Sequence, residues 1–250
     1  MNRTLLLLGA SLLLPFAAGC AAETSSEPAP KPLPRPSTDF ATKDIYPSTS
    51  AQDDGTNLAI YAALLGDGRF LTLGATDRLT AKVGDGAELV LAAQGQTYDP
   101  HWLTIVPSPK DAVDVVVTLD RAGDANDARV KLHVPPPFAF DGATPSDVAF
   151  DAKFDVAISP PAVKDETTVY WAIVEGACVE ANTTSVAVID AGKLTFTVPK
   201  KALKSGTTSC DATVKVQHVQ PGKVEGALQP PFPTDAIGLR ERRFQVKLHP

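Results

Sequence analysis

The sequence predicts an all-β chain, two tandem immunoglobulin-like antiparallel β-sandwiches behind an exported N-terminus, and three observations carry that reading. Apolar residues recur with period two from 57 to 248, the runs are punctuated by DG and GDG turns, and no window of a dozen residues shows a helical stripe. Twenty-two prolines and seventeen glycines stand against a single methionine, the composition of many short strands joined by turns. With 44% hydrophobic residues in 250, the chain can close a core in each half.

The N-terminus sets the compartment. Arg3, the apolar stretch over 5–16 and Ala17-Ala18-Gly19 form the three parts of a secretory signal peptide. That stretch is shorter than the roughly 18 apolar residues a membrane-spanning helix needs. Cys20 directly after the small residues resembles the lipobox of bacterial lipoproteins. The resemblance implies removal of residues 1–19, acylation of Cys20 and, with Ala21 rather than aspartate following, sorting to the outer membrane. Either face of that membrane is compatible with it.

Residues 20–52 follow as a proline-rich tether, with Pro28, Pro30, Pro32, Pro34, Pro36 and Pro47 among small and polar residues. Alternating proline favours an extended chain near 3.1 Å per residue. A spacer is the simpler reading, and a proline-rich ligand for another domain is the sharper one.

The N-terminal sandwich is expected over 53–135. Its strands are read at 57–62, 70–73, 79–83, 88–93, 102–106, 113–119 and 129–134, with Trp102 in the core and 120–127 as the polar tip of a hairpin. Pro135-Pro136-Pro137 marks the boundary, because proline cannot donate to a ladder. The C-terminal sandwich over 136–250 is read from strands at 138–140, 154–158, 168–174, 185–189, 194–198, 212–219 and 243–248. Each half thus reaches about seven strands, the number an immunoglobulin-like sandwich needs. Trp171, between Val169 and Ile173, reads as a core residue.

Cys178 and Cys210 are left as a pair in a compartment that permits disulfides, with two buried thiols as the alternative. A bond between them adds roughly 3 to 4 kcal/mol in the loop-entropy treatment. The order Trp171, Cys178, Cys210 differs from the Cys, Trp, Cys order of antibody domains, so the bond is expected to staple strand ends at one pole.

The stretch 64–73, the Asp77-Arg78-Leu79-Thr80-Ala81 strand, the Val134 to Phe138 junction, the cysteine pair and the closing strand over 240–248 resemble a group of uncharacterised Gram-negative exported lipoproteins. The resemblance covers most of 64–248 and implies two β-sandwich modules in the cell envelope. It transfers no catalytic residue.

Candidate sites are sparse. No GxSxG, SxxK or CGSC element is present, and His101, His133, His218 and His249 have no HExxH spacing. Asp120, Asp124, Asn126 and Asp127 form the densest oxygen-donor cluster, a weak Ca²⁺ candidate whose spacing departs from the EF-hand loop, so a solvated turn is the simpler reading. Tyr98, His101 and Trp102 could form an aromatic patch, and the Arg240-Glu241-Arg242-Arg243 run reads as a solvated strand edge. The net charge of -6 and pI near 5.2 argue against nucleic acid, whose phosphates need a basic face.

These readings combine into a non-catalytic, lipid-anchored envelope module that binds or spaces. The expected partners are the membrane, through the lipid, and an envelope protein or glycan. A monomer without cofactor or resident metal is expected. The alternative is a hydrolase of an envelope or extracellular polymer that works through carboxylates not identifiable from sequence.

Overall fold

The period-two runs all become strands. A computed structural model describes residues 32–250 apart from 97, 123–127, 164–167, 181–182, 207 and 230–234. The signal peptide, Cys20, and Asp124, Asn126 and Asp127 of the oxygen-donor cluster lie outside the described residues.

The first ten strands are β1 (Arg35–Pro36), β2 (Tyr46–Asp53), β3 (Asn57–Gly66), β4 (Arg69–Thr72), β5 (Arg78–Val83), β6 (Glu88–Val90), β7 (Ala92–Gln96), β8 (Asp99–Pro107), β9 (Val113–Asp120) and β10 (Ala128–Val134). One antiparallel sheet runs β2-β3-β8-β7 and the facing sheet runs β6-β5-β9-β10. β4 pairs with β3 beyond the end of β8, and β1 lies parallel to β4. With β2 as strand A, this is the ABED sheet opposite the C′CFG sheet of an immunoglobulin-like domain. Alternation explains the layering: Leu58, Ile60, Ala62 and Leu64 of β3 are buried against Val115 and Val117 of β9 and Leu132 of β10, and Trp102 joins this core as expected. Each large apolar side chain so buried contributes about 1.5 to 3 kcal/mol.

The second module contains β11 (Ala139–Phe140), β12 (Asp147–Ala149), β13 (Lys153–Ser159), β14 (Val169–Gly176), β15 (Thr183–Val186), β16 (Val188–Asp190), β17 (Lys193–Thr197), β18 (Cys210–Pro221), β19 (Lys223–Glu225) and β20 (Ala236–His249). One sheet runs β11-β13-β17-β16 and the other β15-β14-β18-β20, with β12 parallel to the end of β20. The strand order is again immunoglobulin-like. Its core is filled from both sheets by Val156, Phe196, Ala172, Val174, Val214 and Val246.

Trp171 departs from its expected place. The inward residues of β14 are Tyr170, Ala172 and Val174, so Trp171 stands half-buried on the outer face, opposite Gln217 on one side and Val186 on the other. In a strand, an offset of one residue reverses the face.

The tether is also shorter than 20–52. Residues 46–53 form a strand whose buried positions are Pro47, Thr49, Ala51 and Asp53, too small or polar to advertise a core. Pro47 precedes the stretch that pairs with β20, so its missing N–H removes no bond from that ladder. Upstream, Ser37 Oγ donates to Asp77 at 2.5 Å, and Arg121 donates to Thr42 Oγ1 at 2.9 Å and the Ser37 carbonyl at 3.0 Å. Residues 37–44 are thereby tied onto the outer pole of the first sandwich.

The boundary at 135/136 is crossed by the chain that follows it. Thr49–Asp53 of β2 pairs in parallel with Ala236–Arg240 of β20, which fuses the β2 sheet of the first module with the β20 sheet of the second. On the opposite layer, Lys223–Glu225 adds to β10. β19 and the first half of β20 thus extend both edges of the first sandwich, and Leu228 and Ala236 belong to its core. Two glycines permit the approach. A Cβ at Gly238 would lie 2.0 Å from the His133 carbonyl oxygen, and one at Gly222 would lie 2.6 Å from the Leu132 side chain.

At the far pole, Cys178 after β14 is bonded to Cys210 at the start of β18, across a sequence separation of 32. Both strands belong to one sheet, so the bond staples neighbouring strand ends rather than joining the layers. Replacing Cys210 by serine should lower unfolding free energy by about 2 to 5 kcal/mol. Urea denaturation of oxidised and variant protein measures the difference, and equal midpoints would refute the staple.

Candidate functional site

The junction is built around a buried ion pair. Asp53 ends β2 and Arg240 lies on β20, and both side chains are shielded from water, with Arg240 Nη1 3.3 Å from Asp53 Oδ2. The guanidinium also donates to the carbonyl oxygens of Pro135 at 2.5 Å, Pro109 at 3.0 Å and Asp111 at 2.6 Å. Asp53 accepts from the Gly55 N–H at 2.8 Å and the Ser108 hydroxyl at 2.6 Å. One arginine of the second module therefore holds the module linker, the β8–β9 loop and the end of β2. Burial pulls its pKa below the usual arginine value, and the Asp53 charge opposes that shift. The charged run at 240–243 is consequently a junction and not the solvated edge expected of it.

The next residues of the run extend the network. Glu241 accepts from Gln217 at 2.8 Å and from Arg243 Nε at 2.5 Å, and the Arg242 guanidinium lies 5.6 Å from the centre of the Phe138 ring. A charged sequence becomes a packed strand here because every charge faces a partner.

Two clefts flank this junction. On the outer face of the joined sheet, β3, β2 and β20 form a cleft of about 250 Å³ lined by Gln52, Asp54, Asn57, Tyr61, Ile105 and Arg243, with Ala59, Leu239 and Glu241 completing it around Asp53. Asp54 Oδ1 accepts the backbone N–H groups of Thr56 at 2.8 Å and Asn57 at 2.9 Å. Those bonds, that of Asn57 foremost, hold its carboxyl below the ordinary carboxylate value. Tyr61 is steadied by the His101 ring, 6.4 Å between centres. The second cleft, of about 230 Å³, lies between Pro136, Pro137 and Phe138 of the linker and Pro160, Pro161, Val163, Tyr170 and His218 of the second module.

The sequence candidates scatter. His218 stacks on Tyr170 with ring centres 4.4 Å apart, while His133 Nδ1 lies 2.7 Å from Asp114 and the His249 ring pairs with Asp147. Asp120 ends β9 opposite Arg78, and no group of three or more metal-binding side chains occurs among the described residues. Trp102 is core, as expected of it, while Tyr98 is exposed, so the alternative of an aromatic patch is divided between surface and interior. The junction cleft has no local sequence signal, because its walls come from 52–61, 105 and 239–243. Only pairing between β2 and β20 brings these stretches together.

Asp53→Ala would leave the Arg240 charge buried without its carboxylate and should cost about 3 to 5 kcal/mol. Asp53→Leu combined with Arg240→Met should lose much less than either single variant predicts, as read from chemical denaturation. Additive losses would show that the pair is not coupled.

Hydrogen bonds from His133 and then Lys131 likewise hold Asp114 below its ordinary value of 3.8. A carboxylate depressed in this way adds stability that is present above its unfolded value and is lost as pH falls through the lower folded value. Asp114→Asn should therefore flatten the acid limb below about pH 4. The pair is largely solvated, so the effect at neutral pH should be at most about 1 kcal/mol. An unchanged acid limb would rule out this contribution.

No family model and no curated protein matches the chain. Solved structures similar to it include the I-band fragment I67-I69 from titin and the 3Ig structure of an E-to-A mutated variant of those domains. Each shows 12% identity and a TM-score of 0.25, and covers 82% of this chain and 64% of that one. The chain thus matches about two thirds of the length of those fragments. A chimeric titin Z1Z2 carrying a KLER exogenous peptide from decorin is similar at 10% identity and a TM-score of 0.26, over 84% of this chain and 98% of that one.

Proposed function

We propose that the protein is a non-catalytic module of the cell envelope, anchored through a lipid on Cys20, in which two sandwiches act as one rigid binding and spacing unit. The observation that carries this reading is the double attachment at the junction. β20 continues one sheet of the first module, β19 extends the other, and Arg240 ties the linker to both. Flexible tandem domains share only a linker and a modest interface. Here backbone hydrogen bonds and a buried charge resist bending.

The N-terminal sequence supports the anchor, and the proline-rich stretch before the first sandwich supports a stand-off from the membrane. The outer membrane is the proposed location. The carboxylates at the junction support binding over turnover, since both Glu241 oxygens and one Asp54 oxygen already serve the fold.

Cys20→Ser should move the protein from the membrane fraction to the soluble fraction, and intact mass should show acyl groups only on the parent. A Cys20→Ser chain that stays in the membrane would overturn the anchor. In that soluble variant, spin labels at Asp67→Cys and Lys201→Cys should give one narrow distance distribution that broadens when Asp53 is replaced by alanine. A distribution already broad in the parent would overturn the rigid unit.

A further inference from the structure

The junction cleft on the outer face differs in kind from the other surfaces of the molecule. Its walls come from both modules, so it exists only while β2 and β20 are paired. Its floor is apolar, from Ala59 and Leu239, and one wall is Ile105, which is 58% exposed. The half-buried Tyr61 ring stands beside that wall.

Around the floor lie polar groups with capacity to spare. The second carboxylate oxygen of Asp54, the Tyr61 hydroxyl and the Asn57 side-chain amide make no hydrogen bond to any other described residue. Gln52 uses its amide nitrogen on Ser50 at 3.0 Å and keeps its oxygen. Charges nearby are mostly matched, Asp53 by Arg240 and Glu241 by Arg243. The Asp54 carboxylate is fixed in place by its turn and feels the positive charges of Arg243 and Arg242.

We propose that this cleft is a glycan-binding site that takes one pyranose ring, with the apolar face of the sugar against Tyr61 and Ile105 and its hydroxyls on Asp54, Asn57 and Gln52. A sugar ring combines a C–H face with a rim of hydroxyls that both donate and accept, which is the complement of an aromatic and aliphatic wall bordered by carboxylate and amide groups. The cleft lies below the volume range of drug-sized sites, about 300 Å³ upward, and suits a single ring. A basic peptide would also meet Asp54, but that carboxylate already lies in the field of Arg243 and Arg242.

This proposal rests on the reading of the protein as a binding module. Its test uses the full chain carrying Cys20→Ser, with chitotriose, maltotriose, mannotriose and galactotriose as probes, observed by saturation-transfer NMR and calorimetry. At least one trisaccharide should bind with a Kd of about 1 mM or tighter. Tyr61→Ala and Asp54→Asn should each weaken it by about tenfold or more, the loss expected when a stacking face or a charged acceptor is removed. Asp54→Asn touches a turn, so Ile105→Arg serves as the second variant: it fills the cleft from an exposed position and should abolish binding with the thermal midpoint unchanged. No binding of any probe at about 10 mM would overturn the site. So would binding that survives both Ile105→Arg and Tyr61→Ala, or selective uptake of hexalysine in place of sugar. Loss of sugar binding alongside a narrow label distance would leave the rigid module standing. Hydrolysis of a bound trisaccharide would keep the cleft and overturn the non-catalytic reading.

Discussion

The Arg240–Asp53 pair is the constraint on which the arrangement of the two modules depends. A guanidinium removed from water is expensive unless its donors are filled and its charge is matched. Here the partners come from three places distant in sequence: Asp53 at the end of β2, Pro109 and Asp111 before β9, and Pro135 at the module boundary. Satisfying one side chain therefore fixes three backbone segments. The parallel pairing of β2 with β20 and the addition of β19 to β10 follow as neighbours of that fixed point.

Much of the fold was legible because half-buried strands announce themselves. In β10, β13 and β17 the large apolar residues fall at inward positions and polar or small ones at outward positions, so element type and core side can be read together. Trp171 shows the limit of that reading. Both faces of β14 are apolar, Val169 and Ile173 outward and Tyr170 and Val174 inward, so periodicity does not assign a side and only the partner strands decide it.

The parts that escaped sequence reading share one physical cause. β2 buries Pro47, Thr49, Ala51 and Asp53, and the first half of β20 buries Ala236, Gly238 and Arg240 on one side. Small, polar or charged residues at inward positions give no hydrophobic period. They are buried because each meets a particular partner, a tertiary property absent from local pattern. The cleft is hidden for the same reason, since its walls belong to segments separated by up to nearly two hundred residues. The cysteine pair, in contrast, was accessible from compartment and count alone.

The joining of β19 and β20 to the first sandwich has a consequence for how the chain is made. A polypeptide that emerges N-terminus first presents β2 and β10 long before residues 223–240 arrive to pair with them. Until then the first sandwich carries two open edges and lacks Leu228 and Ala236 from its interior. Pairings this remote in sequence form late, because the entropy of closing the intervening loop must be met first. The segment that closes both modules is made after every strand it closes upon, so the order of synthesis and the order of completion coincide.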